Sequence, residues 1–221
     1  MFHVEHEIDL HRLIKTCSID IGVSLTSGQV QQFVVYLEFL KTWNQTFNLT
    51  SITSDEEIVI KHFVDSFAVL NVVEMGSESR LLDVGTGAGF PGVPLKIVRP
   101  DLQITLVEPV SKKTSFLRFL IGTLRLEDTA IFEGTLDQFI SERAYTDSYD
   151  YITTRALKSS HILQIGAKLL RRDGAAIFYS SRSMTDLDPL KHWQLITDYS
   201  FDLPRRFGRR HISIVSPSSG R

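Results

Sequence analysis

Between Gln29 and Leu40 the apolar residues Val30, Phe33, Val34, Leu37 and Leu40 recur at three- and four-residue steps, the spacing of a helix with one buried face. Thr26 or Ser27 stands where its cap belongs. A polar stretch, Asn44 to Thr53, is expected to be a loop. Ser54 then precedes Glu57 by three residues, the capping-box spacing, and Ile58, Val59, Phe63, Phe67, Leu70 and Val73 carry an apolar face to about Glu74. Residues 1–78 therefore read as helical, with Met75 to Ser79 as a linker. From Arg80 the rhythm changes to short apolar runs, which predict strands at 80–85, 103–109, 129–134, 149–155, 174–181, 196–202 and 210–216. Segments long enough for crossover helices separate the first five. That alternation predicts an α/β fold, a mostly parallel seven-stranded sheet with helices on both faces. Phe207-Gly208 marks a turn that would make the last strand antiparallel. The expected organisation is a helical extension, 1–78, packed on a main domain, 79–221.

Composition narrows the classes. Of 221 residues, 43% are hydrophobic and 23% charged, ordinary globular values. The single cysteine, Cys17, excludes a disulfide framework within the chain and a Cys-rich zinc site, and it fits a reducing cytosol. The first residues lack the basic and apolar regions of a signal peptide, and no apolar run is long enough to span a membrane. A cytoplasmic monomer without metal is the resulting expectation. The net charge of −2 makes no global case for nucleic acid. Its distribution is uneven, however: residues 1–80 hold 5 Lys/Arg against 11 Asp/Glu, and residues 81–221 hold 19 against 15. Arg205, Arg206, Arg209, Arg210 and Arg221 lie in a tail with no acid after Asp202, either a solvated face or a phosphate-binding patch.

The strongest local signal is Leu81-Leu82-Asp83-Val84-Gly85-Thr86-Gly87-Ala88-Gly89-Phe90-Pro91-Gly92, where the first strand should end and a helix begin. Glycines let backbone turn tightly and approach a ligand, and ligands of open α/β sheets lie at the carboxyl ends of the strands. A literal G-x-G-x-x-G exists at Gly87, Gly89 and Gly92, the dinucleotide fingerprint. Its register is wrong, because the turn should begin at Gly85, from which the pattern runs G-x-G-x-G-Phe. Asp83, two residues earlier, would set a negative charge beside a pyrophosphate. It suits a loop that holds the methionine end of S-adenosyl-L-methionine. Glu108 ends the next strand, 23 residues after Gly85, where a carboxylate can accept both ribose hydroxyl hydrogens.

These residues resemble a known family. Asp83 to Pro94, Leu106-Val107-Glu108 followed by Lys112-Lys113, Thr154-Arg155-Ala156, Phe47-Asn48-Leu49-Thr50 and His62-Phe63-Val64-Asp65-Ser66 look like the small-subunit ribosomal RNA methyltransferase G family, also called glucose-inhibited division protein B. The likeness runs from about residue 28 to about 182. It implies a Rossmann-like class I fold and transfer of a methyl group to guanine N7 of one guanosine in the decoding-region (530-loop) hairpin of bacterial 16S ribosomal RNA. The partner would be that RNA or the small ribosomal subunit. The resemblance further implies that Gly85 and Phe90 contact the cofactor, that Leu136-Asp137 form the adenine-side pair, and that Arg155 belongs to the cofactor region. With Asp83, Gly87, Gly89 and Glu108 these make the candidate cofactor site. Leu136-Asp137 departs from the Ala-Glu common there, and the tail departs from members with a Pro- and Lys-rich basic segment.

The chemistry is constrained by what is missing. Exocyclic amine methylation usually goes with Asn/Asp-Pro-Pro-aromatic after the fourth strand, but no two prolines adjoin here. Pyrimidine C5 methylation needs a cysteine nucleophile, and Cys17 lies far away in the helical region. Guanine N7 carries a free lone pair and needs alignment without an obligatory base. Arg155 is the candidate positioning residue, holding O6, a phosphate or the cofactor carboxylate, or else making a structural ion pair. His62 and Asp65 either touch an RNA nucleotide or tie the N-terminal helices to the main domain. Arg205, Arg206, Arg209 and Arg210 are the candidate RNA contacts of the tail. An NAD-dependent oxidoreductase using Gly87-Gly89-Gly92 is the rival enzyme, and it lacks a Tyr-x-x-x-Lys pair. A non-catalytic ribosome-assembly factor is the rival from outside catalysis.

Overall fold

The structure, a computed structural model, describes residues 2–142, 147–155, 159–184 and 192–218, so Ala156 and Arg221 fall outside it. Two helices open the chain, α1 (Phe2–Asp20) and α2 (Ser27–Phe47). Thr26 caps α2 through a complete capping box, since its hydroxyl accepts from Gln29 N–H at 3.2 Å while its own N–H donates to Gln29 Oε1 at 2.9 Å. The helix runs past Leu40 into the stretch expected to be a loop. Asn44 explains the difference: its carbonyl accepts from Asn48 N–H at 3.3 Å and its side-chain oxygen from Thr50 N–H at 2.9 Å. Its polarity closes the helix end, where Asn48 turns left-handed.

The next segment starts at Ser54 as expected but is not one regular helix. It passes from α3 (Asp55–Glu57) through a π-helix, Ile58–Val64, to α4 (Asp65–Phe67) and a 3₁₀ turn, Ala68–Asn71. The predicted Ser54–Glu57 capping box does not form, because the Ser54 side chain makes no cap bond and Glu57 pairs with Lys61 instead. The segment also stops short of Glu74.

The sheet strands are β1 (Arg80–Val84), β2 (Gln103–Glu108), β3 (Thr129–Glu133), β4 (Tyr149–Thr154), β5 (Leu170–Ser180), β6 (Trp193–Asp202) and β7 (Arg209–Pro217). Their order is β3-β2-β1-β4-β5-β7-β6. The first five pair in parallel, and β7 lies antiparallel between β5 and β6. The turn expected at Phe207-Gly208 spans Leu203 to Gly208, with Arg205, Arg206 and Gly208 all at positive φ. Strands β5 and β6 begin earlier than the apolar runs suggest, and the β4–β5 register slips between Tyr149 and Tyr151.

Helices α5 (Gly92–Val98) and α6 (Ser111–Leu124) follow β1 and β2, and α7 (Leu136–Glu142) and α8 (Ser159–Ile165) follow β3 and β4. One face of the sheet shares a continuous apolar core with α1, α2 and the π-helix, from Ile14, Phe33 and Phe63 through Phe90 and Phe116 to Ile212. The other face packs Leu82, Val107 and Phe178 against Phe139 and Ile162 of α7 and α8. No described helix is long and apolar enough to cross a membrane.

Candidate active site

The parallel order brings the carboxyl ends of β1, β2, β3 and β4 to one edge, and nearly every candidate cofactor residue sits there. The chain leaves β1 across the end of β2, with Gly85 N–H and Thr86 N–H both donating to Val107 O, at 2.9 and 3.2 Å. Asp83 is fully buried beneath this turn. Its Oδ2 accepts from Thr86 Oγ1 at 2.6 Å and from Gly92 N–H at 2.8 Å, and its Oδ1 accepts from Thr153 Oγ1 at 3.2 Å. Asp83 therefore ties the start of the loop, its end and β4 together. Burial pushes its carboxyl up to about 6, against the opposing pull of those three hydrogen bonds and the Arg155 charge.

Glu108 is also buried, and its side chain folds back over the loop. Its Oε2 accepts from Gly87 N–H at 2.9 Å and its Oε1 from Val110 N–H at 3.1 Å, with Lys113 Nζ 4.0 Å away. A carboxylate offers about four acceptor positions. Two of them are taken by these backbone donors.

The loop glycines divide into two kinds. Gly87 has φ +62°, and a Cβ there would meet nothing within 4 Å, so the backbone faces open space at this position. Gly89 has φ +108°, and a Cβ there would lie 2.7 Å from Tyr36 Oη and 2.8 Å from Val93 Cγ2. Gly89 was expected among the cofactor contacts. The structure packs it against Tyr36 of α2 and Val93 of α5, so the position has no room for a side chain.

Tyr36 is the residue that sequence reasoning missed. It is fully buried, its hydroxyl donates to Ala88 O at 2.6 Å, and its ring stacks on Phe90 with centroids 5.5 Å apart. The available signal was its place three residues after Phe33, because a tyrosine on an apolar face needs a partner for its hydroxyl. Phe90 also stacks on His62, centroids 4.3 Å apart and planes 14° apart. Its ring is thus core material. His62 Nε2 lies 2.9 Å from Thr50 Oγ1, and its Nδ1 is buried without a hydrogen-bond partner. Burial first, then the charges of Arg155, Arg210 and Lys61, lower its pKa to about 3, so the ring is neutral at physiological pH.

Arg155 follows β4, and its guanidinium reaches into the N-terminal region. It donates to Lys61 O at 2.7 Å, His62 O at 3.4 Å, Ser66 Oγ at 3.2 Å and Asp65 Oδ2 at 2.5 Å. The first two acceptors belong to the π-helix, whose carbonyls lack the regular i+4 donors of an α-helix. Arg155 makes a structural ion pair, and its partner is the same Asp65 that was a candidate RNA contact. Asp65 is buried and also receives Arg210, whose Nε stands 3.6 Å from Oδ2.

Leu136 and Asp137 open α7 at the end of β3. Leu136 is buried in the second core, while Asp137 is exposed with its carboxylate 3.3 Å from His161 Nε2. The tail arginines, either a solvated face or a phosphate-binding patch in the sequence, find acidic partners. Arg205 pairs with Glu56 at 2.6 Å and Arg209 with Asp202 at 3.0 Å, leaving Arg206 exposed. The acid-free run in sequence acquires acids in space, which the count along the chain did not show. Among the described residues no cluster of three His, Cys, Asp or Glu is placed to hold a metal ion.

The strand order, with one antiparallel strand beside the last parallel one, and the loop tied by Asp83 and Glu108 define a Rossmann-like methyltransferase domain of class I. Solved structures agree on this fold. A precorrin-6y C5,15-methyltransferase from Geobacter metallireducens superposes with TM-score 0.53 at 10% identity, over 70% of this chain and 88% of that one. MtNAS, crystallised with MTA and tNA, superposes with TM-score 0.56 at 13% identity, over 82% and 70%. The family model described as rRNA small subunit methyltransferase G matches residues 29–194. The Ribosomal RNA small subunit methyltransferase G of Bacillus licheniformis is 35% identical over 206 residues, covering 90% of this chain and 86% of that protein. The chain belongs to the rRNA small subunit methyltransferase G family, and it is a methyltransferase.

Proposed function

We propose that the chain transfers the methyl group of S-adenosyl-L-methionine to guanine N7 of one guanosine in the decoding-region hairpin of 16S ribosomal RNA. The observation that carries the cofactor half is the pairing of the open backbone at Gly87 with the free acceptor positions of Glu108. A ribose can present both its hydroxyls to that carboxylate. The loop before Gly87 needs no rearrangement, because Asp83 fixes it from below. Leu136 is buried, so the adenine-side contact runs through backbone N–H groups at the start of α7, and the Ala-Glu to Leu-Asp difference leaves it intact.

When bound, S-adenosyl-L-methionine supplies a methyl group on a positively charged sulfur. The chain's own part is to align the acceptor and exclude water. N7 has no proton to remove, so no side chain is required as a general base, and proximity and alignment contribute roughly 7–11 kcal/mol. Arg155 acts as a positioning residue. By holding the π-helical turn to the end of β4, it sets where His62 and Phe90 lie beside the glycine loop. The helices of 1–78 serve in this reading as an extension on the catalytic domain 79–221, and the enzyme works on RNA in the cytoplasm.

The test is transfer of labelled methyl to 16S RNA extracted from cells that lack the modification. 7-Methylguanosine carries a fixed positive charge, and its strand cleaves there after borohydride and aniline. Label on an exocyclic amine, a pyrimidine carbon or a ribose oxygen refutes the N7 assignment. No transfer either to that RNA or to small ribosomal subunits from the same cells, under conditions where the protein binds S-adenosylhomocysteine, refutes the substrate.

A further inference from the structure

Beside the Arg155–Asp65 pair lies a cavity of about 320 Å³, lined by Asp65, Arg155, Tyr179, Ser180, Ser181 and Arg210. It sits where β5 ends, next to the end of β4 and across from the first residues of β7, where Ser180 pairs with His211. Two guanidinium groups converge here on a single carboxylate oxygen, Asp65 Oδ2. Buried Asp83, which feels the Arg155 charge, is the other carboxylate close to the pair. Arg155 spends its NH1 and NH2 donors on the π-helical turn and Asp65. Arg210 does not. Its Nε is buried and has no hydrogen-bond partner, since Asp65 at 3.6 Å is beyond that reach. The Ser180 hydroxyl oxygen accepts from Arg182 N–H at 3.0 Å, which leaves its O–H free to donate. Tyr179 is turned away, its hydroxyl donating to Ser66 O at 2.8 Å.

A buried unpaired N–H on a charged group is costly, and such sites persist where a ligand completes them. The matching ligand is an oxyanion with more than one acceptor oxygen, placed on the substrate side of the sheet edge. We propose that this cavity, through Arg210 and Ser180, holds a backbone phosphate of the substrate RNA next to the target nucleotide. The proposal rests on the ribosomal RNA reading above and adds to it an anchor. It also moves the phosphate contact from the exposed arginines of the β6–β7 turn to one half-buried arginine inside the cavity. The methionine carboxylate of the cofactor shares the same chemistry, and the experiment separates the two.

The experiment measures binding of a fluorescent decoding-region hairpin by anisotropy across a salt series, for the full chain and three variants. Arg210→Ala removes the proposed donor. Ser181→Asp places a carboxylate at the exposed rim and carries the test if Arg210→Ala does not fold. Arg209→Ala neutralises the exposed arginine paired with Asp202. Both cavity variants should weaken RNA binding tenfold or more. For Arg210→Ala the slope of log K against log salt should drop by about 0.7 to 0.9, the loss of one phosphate contact. Arg209→Ala should change affinity less than threefold. Inorganic phosphate should compete with the hairpin on the wild type beyond its effect through ionic strength, and fail to do so on Arg210→Ala. Calorimetry should give unchanged affinity for S-adenosylhomocysteine in both cavity variants. Unchanged RNA affinity and slope in folded cavity variants overturns the proposal while leaving the RNA reading intact. Lost S-adenosylhomocysteine affinity with RNA binding kept overturns it in favour of the cofactor carboxylate. A wild type that binds no RNA refutes the reading and the anchor together.

Discussion

Replacing Asp83 with asparagine tests the electrostatics of the glycine loop directly. The carboxyl is fully buried and titrates at about 6 in the folded protein, against an ordinary 3.8. Between those values the folded state binds a proton that the unfolded chain has released. Its contribution is therefore fully present below pH about 4 and lost as pH rises through about 6. The difference corresponds to about 3 kcal/mol at 1.36 kcal/mol per unit. Asp83→Asn removes that titration while keeping the geometry. The amide oxygen can take the place of Oδ2 and accept from Thr86 and Gly92, and the NH₂ group can donate to Thr153 Oγ1, whose hydroxyl rotates. The wild type and the variant should therefore be compared by urea unfolding from pH 4 to pH 8. The variant should gain stability relative to the wild type as pH rises, approaching about 3 kcal/mol by pH 7. Parallel stability curves over the whole range would refute the claim that Asp83 titrates there. A variant that loses more than about 2 kcal/mol at pH 8 would refute the exchange of hydrogen bonds.

The opposite sign is expected of His62. Its pKa is lowered to about 3 from 6.5, so its contribution is present above pH 6.5 and lost as pH falls towards 3. His62→Phe, which retains an aromatic stack on Phe90, should lessen the acid loss of stability between pH 6 and 4 in thermal melts, and an unchanged acid limb would count against it. Gly89→Ala should destabilise by more than about 2 kcal/mol, because the methyl group collides with Tyr36 and Val93 at a left-handed φ. Gly87→Ala should cost only about 1 kcal/mol of backbone strain yet weaken S-adenosylhomocysteine binding at least tenfold by calorimetry, and equal behaviour of the two variants would remove the distinction drawn between these glycines. Tyr36→Phe should cost about 1–3 kcal/mol in chemical unfolding, since Ala88 O loses its side-chain donor in the core.

What could be read from the chain was what neighbours in sequence decide. Asp83, Gly85 and Glu108 announce a cofactor edge because strand ends and loop lie within one βαβ unit. That the first five strands run parallel followed from their spacing, and Phe207-Gly208 marked the reversal before β7, while the order of the strands in the sheet came only from the structure. What could not be read depends on partners far along the chain. That Gly89 has no room for a side chain shows only once Tyr36, 53 positions earlier, is seen against it. The arginine tail lacks acids in sequence, but Arg205 finds Glu56 across 149 positions. The Ser54–Glu57 spacing was right and the box absent, because Lys61 competes for the same carboxylate. Arg155 was singled out for its place after β4, yet its direction was set by carbonyls of a π-helix, a geometry that apolar spacing does not reveal.

The position of β7 has a consequence for how the sheet is assembled. The strand comes later in the chain than β6 yet lies between it and β5, so β6 has no partner until β7 exists. A turn of a few residues, 203–208, joins the two, and a hairpin of such local contacts closes quickly compared with the long crossovers before it. The pair is thus expected to enter the sheet as a finished unit against a five-stranded platform. Removing the 9 residues of β7 would cost two strands. It would also take Arg210 from the cavity at the end of β5, so the assembly of the sheet edge and the completion of that cavity's lining are one event.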